Sequence, residues 1–259
     1  MTSLPLVDLL PILALFTYAV PAFVWFLVRS ATTGMPHEPR LRSVPSSPYL
    51  PRVLMEFTYW IFNQPVAVCR FLGITPNMLT YASLAITTAA SVALGAGRFA
   101  LGGWVLLFGF SCDTWDGILA RKLGTCSDAG EFLDATMDRY NDLVALLGLA
   151  YYYREDPLPL ALVALSLIGS TMVSYTRAKG ESLGVDPNLG YMQRHERAVY
   201  LGAFTILAPL VAAWLEPHAA RPRFHLTIAM LAIVAVATNV TAVLRARFVL
   251  RGLREKAAR

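Results

Sequence analysis

The sequence has little charge for its length. Only 15% of its 259 residues are charged, whereas 56% are hydrophobic, and the mean hydropathy is +0.52. This composition lies outside the usual range of soluble domains. The alternative is a soluble helical bundle with an unusually apolar core, and the lengths of the apolar runs argue against it. The sequence therefore predicts an all-α integral membrane protein.

The motifs of several common protein classes are also absent. No CxxC pair or Cys/His spacing suggests a zinc site. There is no glycine-rich phosphate loop with its lysine and no GxSxG nucleophile motif. The chain lacks a basic soluble surface, so we expect no nucleic-acid partner. The only three cysteines, Cys69, Cys112 and Cys126, lie in or beside apolar segments, and we interpret them as small buried hydrophobic residues.

Seven apolar segments approach the roughly 20 residues that a helix needs to cross a bilayer. They are residues 5–28, 77–96, 101–119, 132–153, 157–175, 198–215 and 225–244. No Lys or Arg precedes the first segment, so we interpret it as a retained helix with its N-terminus outside rather than as a secretion signal. The predicted organisation is an extra transmembrane helix (1–34), a linker and interfacial amphipathic helix (35–70), a six-helix transmembrane domain (71–247) and a basic tail (248–259). A re-entrant or buried segment is the alternative to the interfacial helix.

The basic residues are distributed unequally between the two ends of the predicted spans. Eighteen of the 22 Lys and Arg fall on one side. The four on the other side are Arg98, Arg154, Arg221 and Arg223. Positive charge marks cytoplasmic loops, which predicts that residues 112–142 meet the cytoplasmic face of a bacterial-type inner or plasma membrane. The net charge of +5 favours contact with anionic lipid headgroups or anionic substrates.

Residues 112–142 contain six aspartates and one glutamate beside very apolar segments. On a helix, Asp113 and Asp116 share one face, and Asp134 and Asp138 lie one turn apart. Four carboxylates that converge in a poorly hydrated place repel one another unless cations neutralise them. All-oxygen ligands suit Mg²⁺ or Mn²⁺, and two ions fit four carboxylates.

The residues around the aspartates complete a recognisable pattern. Gly117 and Gly130 remove side-chain bulk, so that a flat or charged group can approach the backbone. The alternative interpretation, that individual aspartates are solvated helix ends or partners of Arg121 and Arg139, does not account for the whole set. The pattern D-x2-D-G-x2-A-R-x8-G-x3-D-x3-D is filled at every position.

This pattern resembles the signature of the CDP-alcohol phosphotransferases, integral membrane enzymes of phospholipid synthesis. The matching residues are Asp113, Asp116, Gly117, Ala120, Arg121, Gly130, Asp134 and Asp138. The stretch ITPNMLT at residues 74–80 is similar to the family's entry into its first core helix, and the resemblance covers roughly residues 49–247. It implies transfer of a phosphoalcohol group from a CDP-linked donor to an acceptor hydroxyl, with release of CMP.

The resemblance also implies roles for individual residues. Two Mg²⁺ or Mn²⁺ ions are expected on Asp113, Asp116, Asp134 and Asp138. Asp138 is also expected to act as general base on the acceptor hydroxyl. The residues expected to contact the CDP moiety are Gly117, Ala120, Arg121, Gly130, Asn77 and Thr80. The expected donor is CDP-diacylglycerol, and a homodimer is expected because relatives are homodimers.

A basic stretch at residues 174–202 bears on the acceptor. It resembles the corresponding stretch of the family's phosphatidylinositol-phosphate synthases, and this implies inositol 1-phosphate. The residues expected around the acceptor's phosphate are Arg177, Lys179, Arg194 and Arg197. A cytoplasmic loop would contain some of these cations in any case. His195 and Gln193 replace the usual Pro and Glu, which leaves glycerol 3-phosphate, inositol and serine open as acceptors.

Two other classes of function remain. A transporter would place its charged residues near the bilayer midplane, whereas these cluster at the predicted helix ends. An inactive scaffold would be expected to have a broken motif. Both are therefore weaker interpretations than an enzyme.

Overall fold

Prolines, glycines and short polar segments divide the apolar chain into helices. The computed structural model describes residues 6–14, 16–17, 20–34, 52–187 and 189–257. Within these ranges the helices are α1 (Leu6–Ala14), α2 (Val20–Thr33), α3 (Arg52–Phe71), α4 (Pro76–Gly95), α5 (Phe99–Leu123), α6 (Asp128–Tyr152), α7 (Pro157–Ser182), α8 (Arg194–Leu215) and α9 (His225–Ala257).

Helices α4 to α9 form the six-helix core, and local sequence explains several of their ends. The side chain of Thr75 caps α4 and is followed by Pro76 at the first helical position. Helix α5 ends at Leu123 and is capped by Gly124, whose φ of 67° is the left-handed conformation that glycine adopts without strain. Ser127 then caps α6 by accepting a hydrogen bond from the Gly130 amide. The α5–α6 loop is therefore short, and these two helices run antiparallel.

Close packing between the helices fixes the core. Helix α4 packs against α5 and α6, α7 packs against α9, and α8 packs against α5. Helices α4 and α6 approach so closely that a Cβ on Gly148 would lie 2.2 Å from the carbonyl oxygen of Ser91. Buried side chains including Leu94, Phe99 and Leu149 fill the space between the helices. Glycine at position 148 therefore permits backbone contact that any side chain would prevent.

Four helices of the described residues are long and apolar enough to cross a membrane: α4, α7, α8 and α9. Helices α5 and α6 have 25 residues each but contain the aspartates, which lower their hydropathy. The prediction of an all-helical membrane protein is confirmed. Helix α9 has 33 residues, about 50 Å at 1.5 Å per residue, which exceeds the ~30 Å hydrocarbon core. The predicted basic tail is helical up to Ala257.

The N-terminal part is described as two helices, α1 and α2. One helix was predicted over residues 5–28, and residues 15, 18 and 19 between α1 and α2 lie outside the described residues. Pro21 is the second residue of α2, a position where proline favours a helix start. Helix α1 packs against α5 and α8, with Ile12 against Ala100 and Ile206.

The predicted amphipathic segment is partly described. Residues 52–71 of it form α3, which carries Phe57 and Trp60 against Phe26 of α2. The predicted linker at residues 35–51 lies outside the described residues. Cys69 and Cys112 are buried as predicted, whereas Cys126 is exposed in the α5–α6 loop, so the prediction was wrong for that residue.

Candidate active site

The predicted site residues meet at one end of the six-helix core. The starts of α4, α6 and α8 and the ends of α5 and α7 lie there, because successive core helices run in opposite directions. The four arginines predicted on the other side lie in or beside the turns at the opposite end of these helices. The core thus separates the end that holds the predicted site residues from the end that holds these four arginines.

Three of the four predicted metal ligands come together. Asp113 of α5 and Asp134 and Asp138 of α6 each offer a carboxylate oxygen, and these oxygens lie within 4.8 Å of one another. Asp113 is buried, and the other two are partly buried. Oxygen donors at this spacing fit a hard divalent cation. The residues therefore form a candidate divalent metal site.

Asp116, the fourth predicted ligand, lies outside that group of three. It is 3% exposed, and its Oδ2 accepts a hydrogen bond of 2.5 Å from the Thr80 hydroxyl. Thr80 was expected at the CDP moiety, and its hydroxyl contacts this carboxylate. This bond joins α4 to α5 at the site and fixes the direction of the Asp116 side chain.

A residue that the sequence interpretation missed supports the same carboxylates. Asn141 of α6 is fully buried, and its amide donates to the Ser83 hydroxyl at 2.9 Å and to Asp113 Oδ1 at 3.4 Å. It is three residues after Asp138, so helical spacing could have placed it on an adjoining face. Its contacts across α4, α5 and α6 hold Asp113 in place.

Arg194, which begins α8, lies among the carboxylates. Its Nη1 is 2.6 Å from Asp113 Oδ2 and 2.8 Å from Asp138 Oδ1, and its Nε is 3.9 Å from Asp142 Oδ1. The sequence placed this arginine at the acceptor's phosphate. In the structure its charge balances two of the three candidate metal ligands.

Arg197 lies one turn further along α8 and is also paired. Its Nη2 donates to Asp142 Oδ2 at 2.5 Å, and both side chains are largely buried. The sequence predicted no role for Asp142. The structure identifies it as the counterion that orients Arg197.

The residues expected at the CDP moiety lie around the same end. Gly117 and Ala120 are half-buried on α5, and a Cβ on Gly117 would lie 3.3 Å from Nη1 of Arg121. The guanidinium of Arg121 therefore passes over Gly117. Gly130 lies in the first turn of α6, and Asn77 is exposed at the start of α4.

The other two cations expected at the acceptor lie nearer the protein surface. Arg177 and Lys179 are exposed near the end of α7, and Arg177 forms an ion pair of 2.8 Å with Glu181. The loop that follows is held by α9, because buried Arg245 donates to the carbonyls of Leu189 and Val173. Arg177 and Lys179 thus flank the loop that leads to Arg194.

Fold and site together define a helical integral membrane protein with a carboxylate-rich transferase site. The chain belongs to the CDP-alcohol phosphatidyltransferase family, whose model matches residues 73–243. The matched region contains every predicted site residue. The predictions of the family and of an enzyme are confirmed.

Curated relatives have named activities. Over 133 residues the chain is 40% identical to the archaetidylinositol phosphate synthase of Pyrococcus horikoshii, covering 50% of this chain and 68% of that one. It is 36% identical over 129 residues to the phosphatidylinositol phosphate synthase of Cutibacterium acnes, covering 48% and 62%.

Solved structures of the phosphatidylinositol phosphate synthase of Mycobacterium tuberculosis share the fold. The structure with CDP-DAG bound has a TM-score of 0.62 at 24% identity and covers 73% of this chain and 93% of that one. The complex with manganese and citrate has a TM-score of 0.63 at the same identity and covers 73% and 88%.

Proposed function

We propose that the protein transfers a phosphatidyl group from CDP-diacylglycerol to the hydroxyl of a phosphorylated alcohol, inositol 1-phosphate, and releases CMP. The observation that carries this proposal is the convergence of Asp113, Asp134 and Asp138 beside two arginines of α8. The carboxylates suit a metal that receives a pyrophosphate, and the arginines suit an anionic acceptor. The names of the inositol phosphate synthases among the relatives support the same acceptor.

The proposed chemistry is an in-line displacement at the donor's β-phosphorus. A divalent cation on Asp113, Asp134 and Asp138 would supply charge neutralisation at the pyrophosphate and at the leaving CMP oxygen. Asp138 would accept the proton of the acceptor hydroxyl, for which it must come within hydrogen-bond reach of that oxygen. Thr80 and Asn141 would keep Asp116 and Asp113 oriented while the donor binds.

The remaining expectations form part of the same proposal. A second divalent ion would use Asp116. The residues that would surround the CDP moiety are Gly117, Ala120, Arg121, Gly130, Asn77 and Thr80. Arg177 and Lys179 would join Arg194 and Arg197 at the acceptor's phosphate. The carboxylate-rich end would face the cytoplasm, because most of the basic residues belong to that side. The donor's acyl chains could then remain in the bilayer, and the active protein would be a homodimer.

An acceptor panel tests the proposal. Membranes that contain the protein are supplied with labelled CDP-diacylglycerol, Mg²⁺ and one of inositol 1-phosphate, inositol, glycerol 3-phosphate or serine. We expect lipid product and CMP in equal amounts with inositol 1-phosphate, and little product with inositol or serine. Preferred use of glycerol 3-phosphate would show that the acceptor is glycerol 3-phosphate and that the proposed type of reaction is correct. Absence of product with every acceptor would reject the function.

The role of Arg197 at the acceptor gives a second test. Replacing Arg197 alone would leave the carboxylate of Asp142 buried without its hydrogen-bond donor, which is destabilising. The double variant Arg197→Gln/Asp142→Asn removes both charges together. We expect the KM for inositol 1-phosphate to rise by roughly 10- to 100-fold, because a charge-assisted hydrogen bond contributes about 1.5–3 kcal/mol. The KM for CDP-diacylglycerol should stay within about twofold.

The matched control is Arg223→Gln/Asp156→Asn, which removes an ion pair of 2.9 Å at the opposite end of the core. It should leave both KM values unchanged. An equal rise of the two KM values in the Arg197 variant would contradict a role specific to the acceptor.

A further inference from the structure

Arg194 lies where a metal ion would be coordinated. Its Nη1 contacts Asp113 and Asp138, at 2.6 and 2.8 Å. These are two of the three residues whose oxygens lie within 4.8 Å of one another. Its side chain is 28% exposed, which leaves it a path away from the carboxylates. The guanidinium thus supplies the positive charge that the candidate metal ligands require.

A guanidinium and a divalent cation cannot both occupy this position. Mg²⁺ binds carboxylate oxygens at about 2.0–2.1 Å, whereas Arg194 Nη1 now donates a hydrogen bond to Asp113 Oδ2 and lies 2.8 Å from Asp138 Oδ1. Two like charges only a few ångströms apart in a partly buried site also repel strongly. Coordination by all three aspartates therefore requires that Arg194 move away.

The surroundings of Arg194 indicate where its charge would be used after such a move. In the described part of the chain, Nε and Nη2 of Arg194 and Nη1 of Arg197 are buried and have no hydrogen-bond partner. These N–H groups belong to the first turn of α8. Unsatisfied guanidinium donors on two arginines one turn apart suit a tetrahedral oxyanion such as a phosphate group.

We infer that Arg194 is an exchangeable internal counterion: it neutralises Asp113 and Asp138 until a divalent cation displaces it, and it then binds the phosphate of the acceptor. This inference rests on the proposed function. Binding of the cation and of the anion is then coupled, and by thermodynamic reciprocity each increases the affinity for the other. The order of assembly is metal first, and a complete acceptor site follows.

Metal binding without substrate tests the exchange. The full chain is purified in detergent, and Mn²⁺ is titrated while free Mn²⁺ is measured by electron paramagnetic resonance. We expect Arg194→Gln to bind Mn²⁺ roughly tenfold more tightly than the unmodified protein, because the competing cation is gone. Arg194→Lys keeps the charge without the forked geometry and should lie between the two. If the Gln variant does not fold, the Lys variant still tests the inference, because it should bind Mn²⁺ more tightly than the unmodified protein.

Arg154→Gln is the matched control, since it removes one positive charge from an exposed ion pair with Glu155 at the opposite end of the core. Its Mn²⁺ affinity should stay within about twofold of the unmodified protein. Equal or weaker Mn²⁺ binding by both Arg194 variants would overturn the inference. So would equally tighter binding by the Arg154 variant, since that would reflect net charge alone.

Sulfate serves as the anion probe in a second titration. It should tighten Mn²⁺ binding to the unmodified protein by at least about twofold and should leave Arg194→Gln unchanged. If sulfate tightened Mn²⁺ binding equally in the unmodified protein and in Arg194→Gln, the inference that Arg194 binds the anion would be overturned. The acceptor panel tests the proposed function separately. If the protein shows this Mn²⁺ behaviour but forms no lipid product, the exchange of Arg194 is supported and the proposed function is rejected.

Discussion

Asp138→Asn is expected to reduce turnover by roughly three orders of magnitude while CDP-diacylglycerol still binds. The asparagine amide keeps the size of the side chain but cannot accept the proton of the attacking hydroxyl. Asp113 and Asp134 remain to bind the metal that receives the donor. The measurement is kcat with inositol 1-phosphate, together with equilibrium binding of labelled CDP-diacylglycerol.

Asp156→Asn is the control for Asp138, because it makes the same chemical change at the opposite end of the core. Asp156 forms an exposed ion pair with Arg223 and precedes α7 without a side-chain capping hydrogen bond, so asparagine removes no cap there. Its turnover should be unchanged. Loss of donor binding by Asp138→Asn with the chemical step preserved would contradict the role of general base.

Removal of divalent metal is expected to lower activity by at least roughly a hundredfold, and Mg²⁺ or Mn²⁺ should restore it. Without metal, the carboxylates that should receive the pyrophosphate present negative charge to an anionic donor. The protein itself should remain folded, because Arg194 neutralises Asp113 and Asp138. The measurements are initial rate and helical circular dichroism after dialysis against EDTA.

EDTA that has been saturated with Mg²⁺ beforehand is the control for the chelation experiment, and it should leave the rate unchanged. Full activity after exhaustive dialysis against metal-free EDTA would contradict metal dependence. Loss of circular dichroism together with activity would indicate that the metal is structural, which the pairing of Arg194 argues against.

Much of the fold could be predicted from apolar runs and helix-breaking residues. Helix α7 begins at Pro157, α8 ends at Leu215 and α9 begins at His225, as the sequence predicted. The errors lie where polar residues continue a helix. Helix α8 begins at Arg194, before its apolar run. The backbone N–H of Gln193 donates to the Glu196 carboxylate, and this hydrogen bond stabilises the first turn.

The extent of α9, by contrast, depends on tertiary contacts. Its last turns are basic and carry no apolar run, yet Lys256 donates to the Gly184 carbonyl after the end of α7. Burial of Val249 and close contact of Gly252 with Val185 add to this packing. Hydropathy identifies the apolar run of α9 but does not predict its polar last turns, which these contacts stabilise.

The candidate site divides in the same way. The spacing of the aspartates predicted two helix faces, and Asp113, Asp134 and Asp138 do converge. The same spacing could not show that Asp116 lies outside this group of three, because its position depends on a hydrogen bond from Thr80 of another helix. It also could not place Arg194 among the carboxylates or pair Arg197 with Asp142, because these contacts join α8 to helices that are more than 50 residues away in the chain.

The sequence by itself determined the membrane, the helices, the family and the carboxylates, because each follows from residue type and short-range periodicity. Only the tertiary structure decided which charges neutralise one another. Ion pairing depends on distances of a few ångströms between side chains of different helices, and the packing of those helices sets these distances. The pairing of Arg194 with Asp113 and Asp138 could therefore be seen only in the tertiary structure.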